Sequence, residues 1–155
     1  MNEFIIKDSP NKGKGLFTST PIERNSILFR FDGKLIKTDK PNELNDRFLQ
    51  VGTNLYIDIE KHMGVFVNHS CNPNCYVKIA VNTAFLLSTR PIAAGDELFY
   101  DYSLTSTESP KTFSMKCGCD PFGCRRVISG FDSVPTDQQT KLISLGMVPR
   151  YVVKK

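Results

Sequence analysis

The sequence predicts a mostly β fold with short helices, and three observations carry that expectation. Short apolar runs alternate with turn-rich segments through the first two thirds of the chain. Two of those runs flank a lone Asn as the arms of a hairpin do, and a pattern with both a helical start and a helical stop occurs only near the C-terminus.

Taken in order, Phe4 to Lys7 reads as a strand, and Asp8 to Gly15 as a turn-rich segment leading into Leu16-Phe17. Pro21 to Asn25 is a turn before a strand through Ile27 to Phe31, which ends at Asp32-Gly33. Lys34 to Lys37 and Leu55 to Ile59 extend the strand pattern. Between them, Leu44, Phe48 and Leu49 carry a weak helical spacing, so a short helix is expected within Asp39 to Leu49. Tyr76 to Val81 and Thr83 to Ser88 read as a hairpin turning at Asn82, and Pro91 to Asp96 as a turn before the strand end Leu98-Phe99-Tyr100. Ser103 to Pro110, rich in Ser and Thr, reads as a mobile connector. Thr136-x-x-Gln139 after Pro135 has the form of a capping box, and Gly146 supplies a stop, giving one short terminal helix.

Composition bounds the function. The 155 residues, 40% hydrophobic and 23% charged, suit one domain with a single core. The apolar runs are too short to cross a bilayer, and the first residues lack the pattern of a secretion signal, so an intracellular protein without membrane contact is expected. That means the nucleus in a eukaryote and the cytoplasm in a prokaryote. Five cysteines cannot all pair within one chain, and the tight Cys117, Cys119, Cys124 spacing suits a metal better than disulfides. The net charge of +4, without a basic stripe, argues against direct nucleic-acid binding.

Each motif has a bland alternative. Asn68-His69 alone is more often a turn with local hydrogen bonds than a ligand site. Gly13-x-Gly15 lacks the third glycine and the following helix of a dinucleotide fingerprint, so a phosphate cradle is not expected. Tyr100 and Tyr102 alternate on a strand and share one face, which could simply be core. Thiolates one and four residues apart can surround one ion from a tight loop, but three local ligands leave a tetrahedral zinc one short.

The combination decides. Asn68-His69-Ser70-Cys71-Asn72-Pro73-Asn74-Cys75, Glu97-Leu98-Phe99-Tyr100-Asp101-Tyr102 and Cys117-x-Cys119-x4-Cys124, with Gly13-Lys14-Gly15-Leu16-Phe17 upstream, resemble the SET-domain protein-lysine methyltransferases with a cysteine-rich post-SET module. The resemblance implies a SET-domain fold of small sheets around a pseudoknot over residues 1–112, a zinc-stapled module over 113–133 and an extension with a short helix over 134–155. It implies S-adenosylmethionine held by Lys14, Gly15, Leu16, Asn68, His69, Tyr102 and Phe131, with Val127 and Ile128 as further apolar cover. Tyr102 falls where the target lysine meets the methyl donor. Tyr100 falls where Phe or Tyr sets the number of methyl groups, and a Tyr favours monomethylation. Phe31, Tyr56 and Tyr100 map to the lysine channel, and Cys71 maps to the fourth ligand of a structural zinc beside Cys117, Cys119 and Cys124. Cys75 has no counterpart and is expected to be a small buried residue.

Two positions depart from the pattern. Phe31 stands where many relatives have a channel Tyr, and Val65 where many have Arg before the Asn-His motif. The implied function is transfer of a methyl group to a lysine of a basic protein, such as a histone tail or another chromatin protein. A cationic tail would be attracted to Asp39, Glu43, Asp46, Asp58 and Glu60, which a solvated acidic face would explain equally well. The competing readings are a catalytically idle peptide-binding module that keeps the zinc, and a zinc-stapled nucleic-acid binder. The joint presence of Asn68, His69 and Tyr102 disfavours the first and the modest charge disfavours the second.

Overall fold

A computed structural model describes residues 3–45, 47–119 and 122–153. Strands β1 (Phe4–Ser9) and β2 (Gly13–Thr18) form an antiparallel hairpin, pairing Phe4 with Thr18 and Ser9 with Gly13. The turn is tighter than the sequence suggests. Asn11 at φ 60° and Gly13 at φ 73° reverse the chain, so Lys14 and Gly15 already lie on β2.

Strand β3 (Ile27–Phe31) leads to β4 (Lys34–Lys37), β5 (Phe48–Gly52) and β6 (Leu55–Asp58). The last three form one antiparallel sheet in the order β4-β6-β5. The helix expected over Asp39 to Leu49 is absent among the described residues. Pro41–Glu43 makes a single 3-10 turn, and Phe48 and Leu49 belong to β5. Leu49, Gln50 and Val51 are all buried, so β5 is covered on both faces and shows no polar alternation. Asp46 lies outside the described residues.

After β7 (Asn68–His69), β8 (Cys75–Ala80) and β9 (Thr83–Ser88) form the expected hairpin, with Asn82 in the left-handed region at φ 54°. β9 is central in a second sheet, β3-β9-β8. The main core gathers Leu16, Phe31, Val67, Leu86 and Leu98 around these sheets, and Cys75 is fully buried within it. Strand β10 (Phe99–Tyr100) pairs in parallel with β7, and β11 (Met115–Lys116) pairs antiparallel with β12 (Val127–Ile128).

The Ser/Thr-rich stretch is anchored, contrary to the mobile connector expected. Ser103, Leu104 and Thr105 are buried. The Thr107 N–H donates to Gln50 Oε1 at 3.0 Å, and the Phe131 N–H donates to the Ser106 carbonyl at 3.0 Å. Polar side chains that look like linker composition here satisfy the buried amide of Gln50 and the neighbouring backbone.

Two helices close the chain, α1 (Thr136–Ser144) and α2 (Arg150–Val153), where one was expected. Pro135 occupies the N-cap of α1, so Thr136 is already helical and the capping box does not form. The Gln139 amide instead reaches back to the Val134 carbonyl at 2.7 Å. The stop is as expected. Gly146 turns left-handed at φ 68°, and the Gly146 and Met147 N–H groups donate to the carbonyls of Ile143 and Leu142. Leu104, Phe131, Val134 and Val152 form a second buried cluster beneath the helices. No helix among the described residues is long and apolar enough to cross a membrane.

Candidate active site and thiol cluster

Parallel pairing of β7 with β10 puts Asn68 beside Phe99 and His69 beside Tyr100, so two motifs some thirty residues apart become neighbours. Asn74 fastens them. Its amide donates to the Glu97 carbonyl at 2.8 Å and accepts from the Phe99 N–H at 2.9 Å. Glu97 then organises the hairpin on the other side. Its carboxylate accepts from Asn68 Nδ2 at 2.8 Å and from the Ser9 hydroxyl at 2.8 Å. A Cβ at Gly15 would sit 2.2 Å from that carboxylate, so any side chain there would push Glu97 off Asn68 and Ser9. The sequence singles out Gly15 and Asn68 but gives no role to the Glu97 that joins them.

A cleft of about 1040 Å³ opens over this junction, lined among others by Lys14, Asn68, His69, Tyr56, Tyr100 and Tyr102. Asn68 Nδ2 also donates to the Lys14 carbonyl at 2.9 Å. Its two amide protons are therefore engaged within the protein, and its oxygen can receive a donor from a ligand. Lys12 lies across the wall, with Nζ 3.0 Å from the His69 carbonyl and 4.4 Å from the centre of the Phe99 ring. The Lys14 ammonium is paired with Asp8 at 2.6 Å on the outer, exposed side.

The tyrosines are packed together. The Tyr100 and Tyr102 ring centres are 4.7 Å apart, and the Tyr102 hydroxyl donates to the Val67 carbonyl at 2.8 Å. Burial holds the Tyr100 hydroxyl well above its ordinary pKa. Burial, with the charge of Glu108 adding to it, takes Tyr56 to about 12. Both hydroxyls stay protonated at neutral pH and can donate hydrogen bonds, and neither serves as an ionised base. Tyr151, from α2, approaches the Gln50 and Thr105 carbonyls at 2.8 Å each, fixing the C-terminal segment to β5 behind these rings.

The cysteines converge beside the same junction. Cys71 Sγ is 3.9 Å from Cys117 Sγ, and the Cys71 N–H donates to Cys119 Sγ at 3.2 Å. Cys124 is close enough for its thiol to interact with those of Cys117 and Cys119. Two more backbone N–H groups point at sulfur, Arg125 to Cys71 at 3.4 Å and Arg126 to Cys124 at 3.3 Å. Burial raises the Cys71 thiol to about 11 and pushes Cys117 up strongly. Cys124 is nudged up by burial but brought down to about 6 by the Arg126 N–H and the neighbouring thiols. Thiols brought this close together and ringed by N–H donors fit a bound metal, which favours the thiolate form.

His69, Cys71, Cys117 and Cys119 also hold donor atoms within 4.8 Å of one another, so His69 competes with Cys124 for the fourth position. The ring's hydrogen bonds separate the two. His69 Nδ1 accepts the Tyr102 N–H at 3.2 Å, which leaves the proton on Nε2, 3.3 Å from Cys71 Sγ. In that tautomer His69 donates to a cluster sulfur and has no lone pair for a metal. Burial lowers its pKa to about 4, so the 3.6 Å approach of Asp101 is not an ion pair at neutral pH.

Other expected site residues lie away from the cleft. Leu16, Phe31 and Phe131 are 1%, 2% and 3% exposed. Leu16 and Phe31 belong to the main core, where Phe31 packs edge-on to Phe29 and against His62. Phe131 belongs to the second cluster, because the 3-10 turn Phe131–Ser133 carries it under the helices. Of the three apolar residues after Cys124, Ile128 reaches the cleft and Val127 is exposed. Val65 lines the cleft while packing on the core. Two residues that the sequence did not single out bind the two halves of the site. Arg125 makes a double hydrogen bond to Asp101, between the two tyrosines.

Residues 13–103 match the family described as SET domain, and the chain belongs to that family. It is 31% identical to a histone-lysine N-methyltransferase, H3 lysine-36 specific, of Chaetomium globosum, over 91% of this chain and 17% of that protein. It is 28% identical to the histone-lysine N-methyltransferase trithorax of Drosophila virilis, over 76% of this chain and 3% of that protein. The chain thus spans under a fifth of these relatives' length. Among solved structures, KRYPTONITE in complex with mCHH DNA, an H3(1-15) peptide and SAH superposes with a TM-score of 0.68 at 22% identity, over 83% of this chain and 30% of that one. That likeness supports the fold.

Proposed function

We propose that this chain is a protein-lysine N-methyltransferase that uses S-adenosylmethionine, acts on a basic protein such as a histone tail and favours monomethylation. The observation that carries the reading is the meeting of Asn68, His69, Tyr100 and Tyr102 on one cleft through the β7–β10 pairing. The names of the relatives support the histone, and with it a nuclear site of action. The division at residues 112 and 133 into SET domain, zinc module and extension belongs to the same reading.

Bound in the cleft, S-adenosylmethionine supplies a methyl group activated on a sulfonium. Asn68 offers its amide oxygen to the amino-acid end of the donor, while Lys12 sets positive charge near a carboxylate. The backbone of Gly15 and His69 completes that end. Tyr102 donates to the Val67 carbonyl, which fixes its oxygen in a position to orient the lysine nitrogen. A lysine of ordinary pKa near 10.4 must lose its proton before it can attack. The packed rings of Tyr56, Tyr100 and Tyr102 favour the neutral amine by excluding water. The Tyr100 hydroxyl, kept protonated by burial, can hold a water where further methyl groups would turn, and that would favour the monomethyl product.

Zinc fits the thiol cluster, with Cys71, Cys117, Cys119 and Cys124 as ligands and a structural role, since four thiolates leave no open position. Incubation with S-adenosylmethionine and lysine peptides from histone H3, read by intact mass, tests the function. Cofactor binding without transfer to any lysine substrate would favour the idle peptide-binding module.

A further inference from the structure

Three of the acidic residues expected to attract a cationic tail are engaged elsewhere. Glu43 pairs with Lys40 at 3.4 Å, and Asp58 and Glu60 pair with Arg47 at 3.4 and 3.0 Å. None of these lines the cleft. Glu97 does, but its carboxylate is occupied by Asn68 and Ser9. One acidic side chain on the cleft wall differs. Glu108 is half-buried beside Tyr56 and Thr112, and no Lys, Arg or His among the described residues forms an ion pair with it.

Its position is fixed by the backbone. The Glu108 N–H donates to the Ser106 hydroxyl at 3.2 Å, and Gly130 presses so close that a Cβ there would lie 2.0 Å from the Glu108 carbonyl oxygen. Burial raises the Glu108 pKa, with the Thr112 hydroxyl opposing the shift. A partly desolvated carboxylate without a counter-ion is costly, and a cation delivered by a ligand relieves that cost. The cleft therefore carries charge of both signs, with Lys12 beside the His69 carbonyl and Phe99 and with Glu108 beside Tyr56.

Resting on the methyltransferase reading, we propose that Glu108 determines substrate specificity by pairing with a basic side chain that flanks the target lysine. The target lysine itself is a poor partner, because a carboxylate at its ammonium would hold the proton that must leave. The substrate class is thus a peptide with an arginine or second lysine close to the methylated one.

The test uses lysine-centred peptides in which a single arginine steps through the flanking positions, each matched by a peptide with uncharged citrulline in its place. At the favoured position, citrulline should raise KM about tenfold for the wild-type chain, the loss of one moderately screened ion pair of about 1.4 kcal/mol. For Glu108→Gln the same ratio should fall to about one. An arginine preference equal in both proteins, or no preference at any position in the wild type, overturns the assignment. Calorimetric binding of the same peptide pairs separates the two ideas. If no peptide is methylated but wild-type binding still discriminates by charge and Glu108→Gln does not, the methyltransferase reading fails while Glu108 keeps its role.

Discussion

Arg125 lays its two terminal guanidinium nitrogens 2.7 Å from the two carboxylate oxygens of Asp101, with the side chains only 9% and 4% exposed. A third bond runs from Arg125 to the Ser103 hydroxyl at 3.1 Å. Asp101 sits between Tyr100 and Tyr102, and Arg125 follows Cys124. The pair therefore ties the cysteine segment to the strand end that carries the tyrosines.

Breaking this pair from one side should cost much more than removing it whole. Arg125→Ala leaves a buried carboxylate alone and should lower the unfolding free energy by about 3–5 kcal/mol. Arg125→Met combined with Asp101→Leu removes both charges and should recover much of that loss. Urea denaturation of the three proteins decides it, and a loss below about 1 kcal/mol in Arg125→Ala would show that the clamp carries little of the fold.

The metal prediction separates Cys124 from His69. Purified protein should hold one zinc per chain, and Cys119→Ser or Cys124→Ser should release it and lower the thermal midpoint. His69→Gln should retain full zinc stoichiometry, since that ring donates to sulfur through Nε2. Binding should strengthen as pH rises, because each ligand must be a thiolate. Loss of zinc from His69→Gln with retention in Cys124→Ser would invert the ligand set.

What the sequence made legible was what is local. The β8–β9 hairpin followed from alternation around Asn82, and the Gly146 stop from a single left-handed residue. β5 was missed because burial on both faces removes the alternation that marks a half-exposed strand, and because Gln50 puts a polar side chain inside. That amide is satisfied by Thr107, fifty-seven residues away, a pairing that no local pattern encodes. Glu97, Arg125 and Glu108 were missed for the same reason. Each acts through a contact made only by the fold, and a Glu in a Ser/Thr-rich stretch looks like linker. Phe31 and Phe131 show the converse, since an apolar residue at a site position in the chain can still face the core.

Asn68→Ala should weaken S-adenosylmethionine binding by roughly tenfold or more, the usual effect of removing one hydrogen bond and leaving its buried partners unmet. The partners here include Glu97, whose carboxylate would lose the Asn68 donor. Titration calorimetry should show the loss in a protein that remains folded. Equal affinity in both proteins would make Asn68 a brace for Lys14 and Glu97 only.

The two tyrosines should respond differently to loss of a hydroxyl. Tyr102→Phe removes the bond to Val67 and the oxygen proposed to orient the lysine nitrogen, so cofactor affinity should hold while kcat falls by roughly 10²–10³. Tyr100 is buried, and its hydroxyl stays protonated. Tyr100→Phe would take away the proposed water site at this hydroxyl but leave the alignment at Tyr102 intact. Turnover should persist, and mass spectrometry should find the product shifted from monomethyl towards dimethyl and trimethyl lysine. An unchanged product ratio would place control of methylation number elsewhere in the channel. That control would then fall to Tyr56 on the cleft wall, since the Phe31 ring is buried against Phe29 and His62.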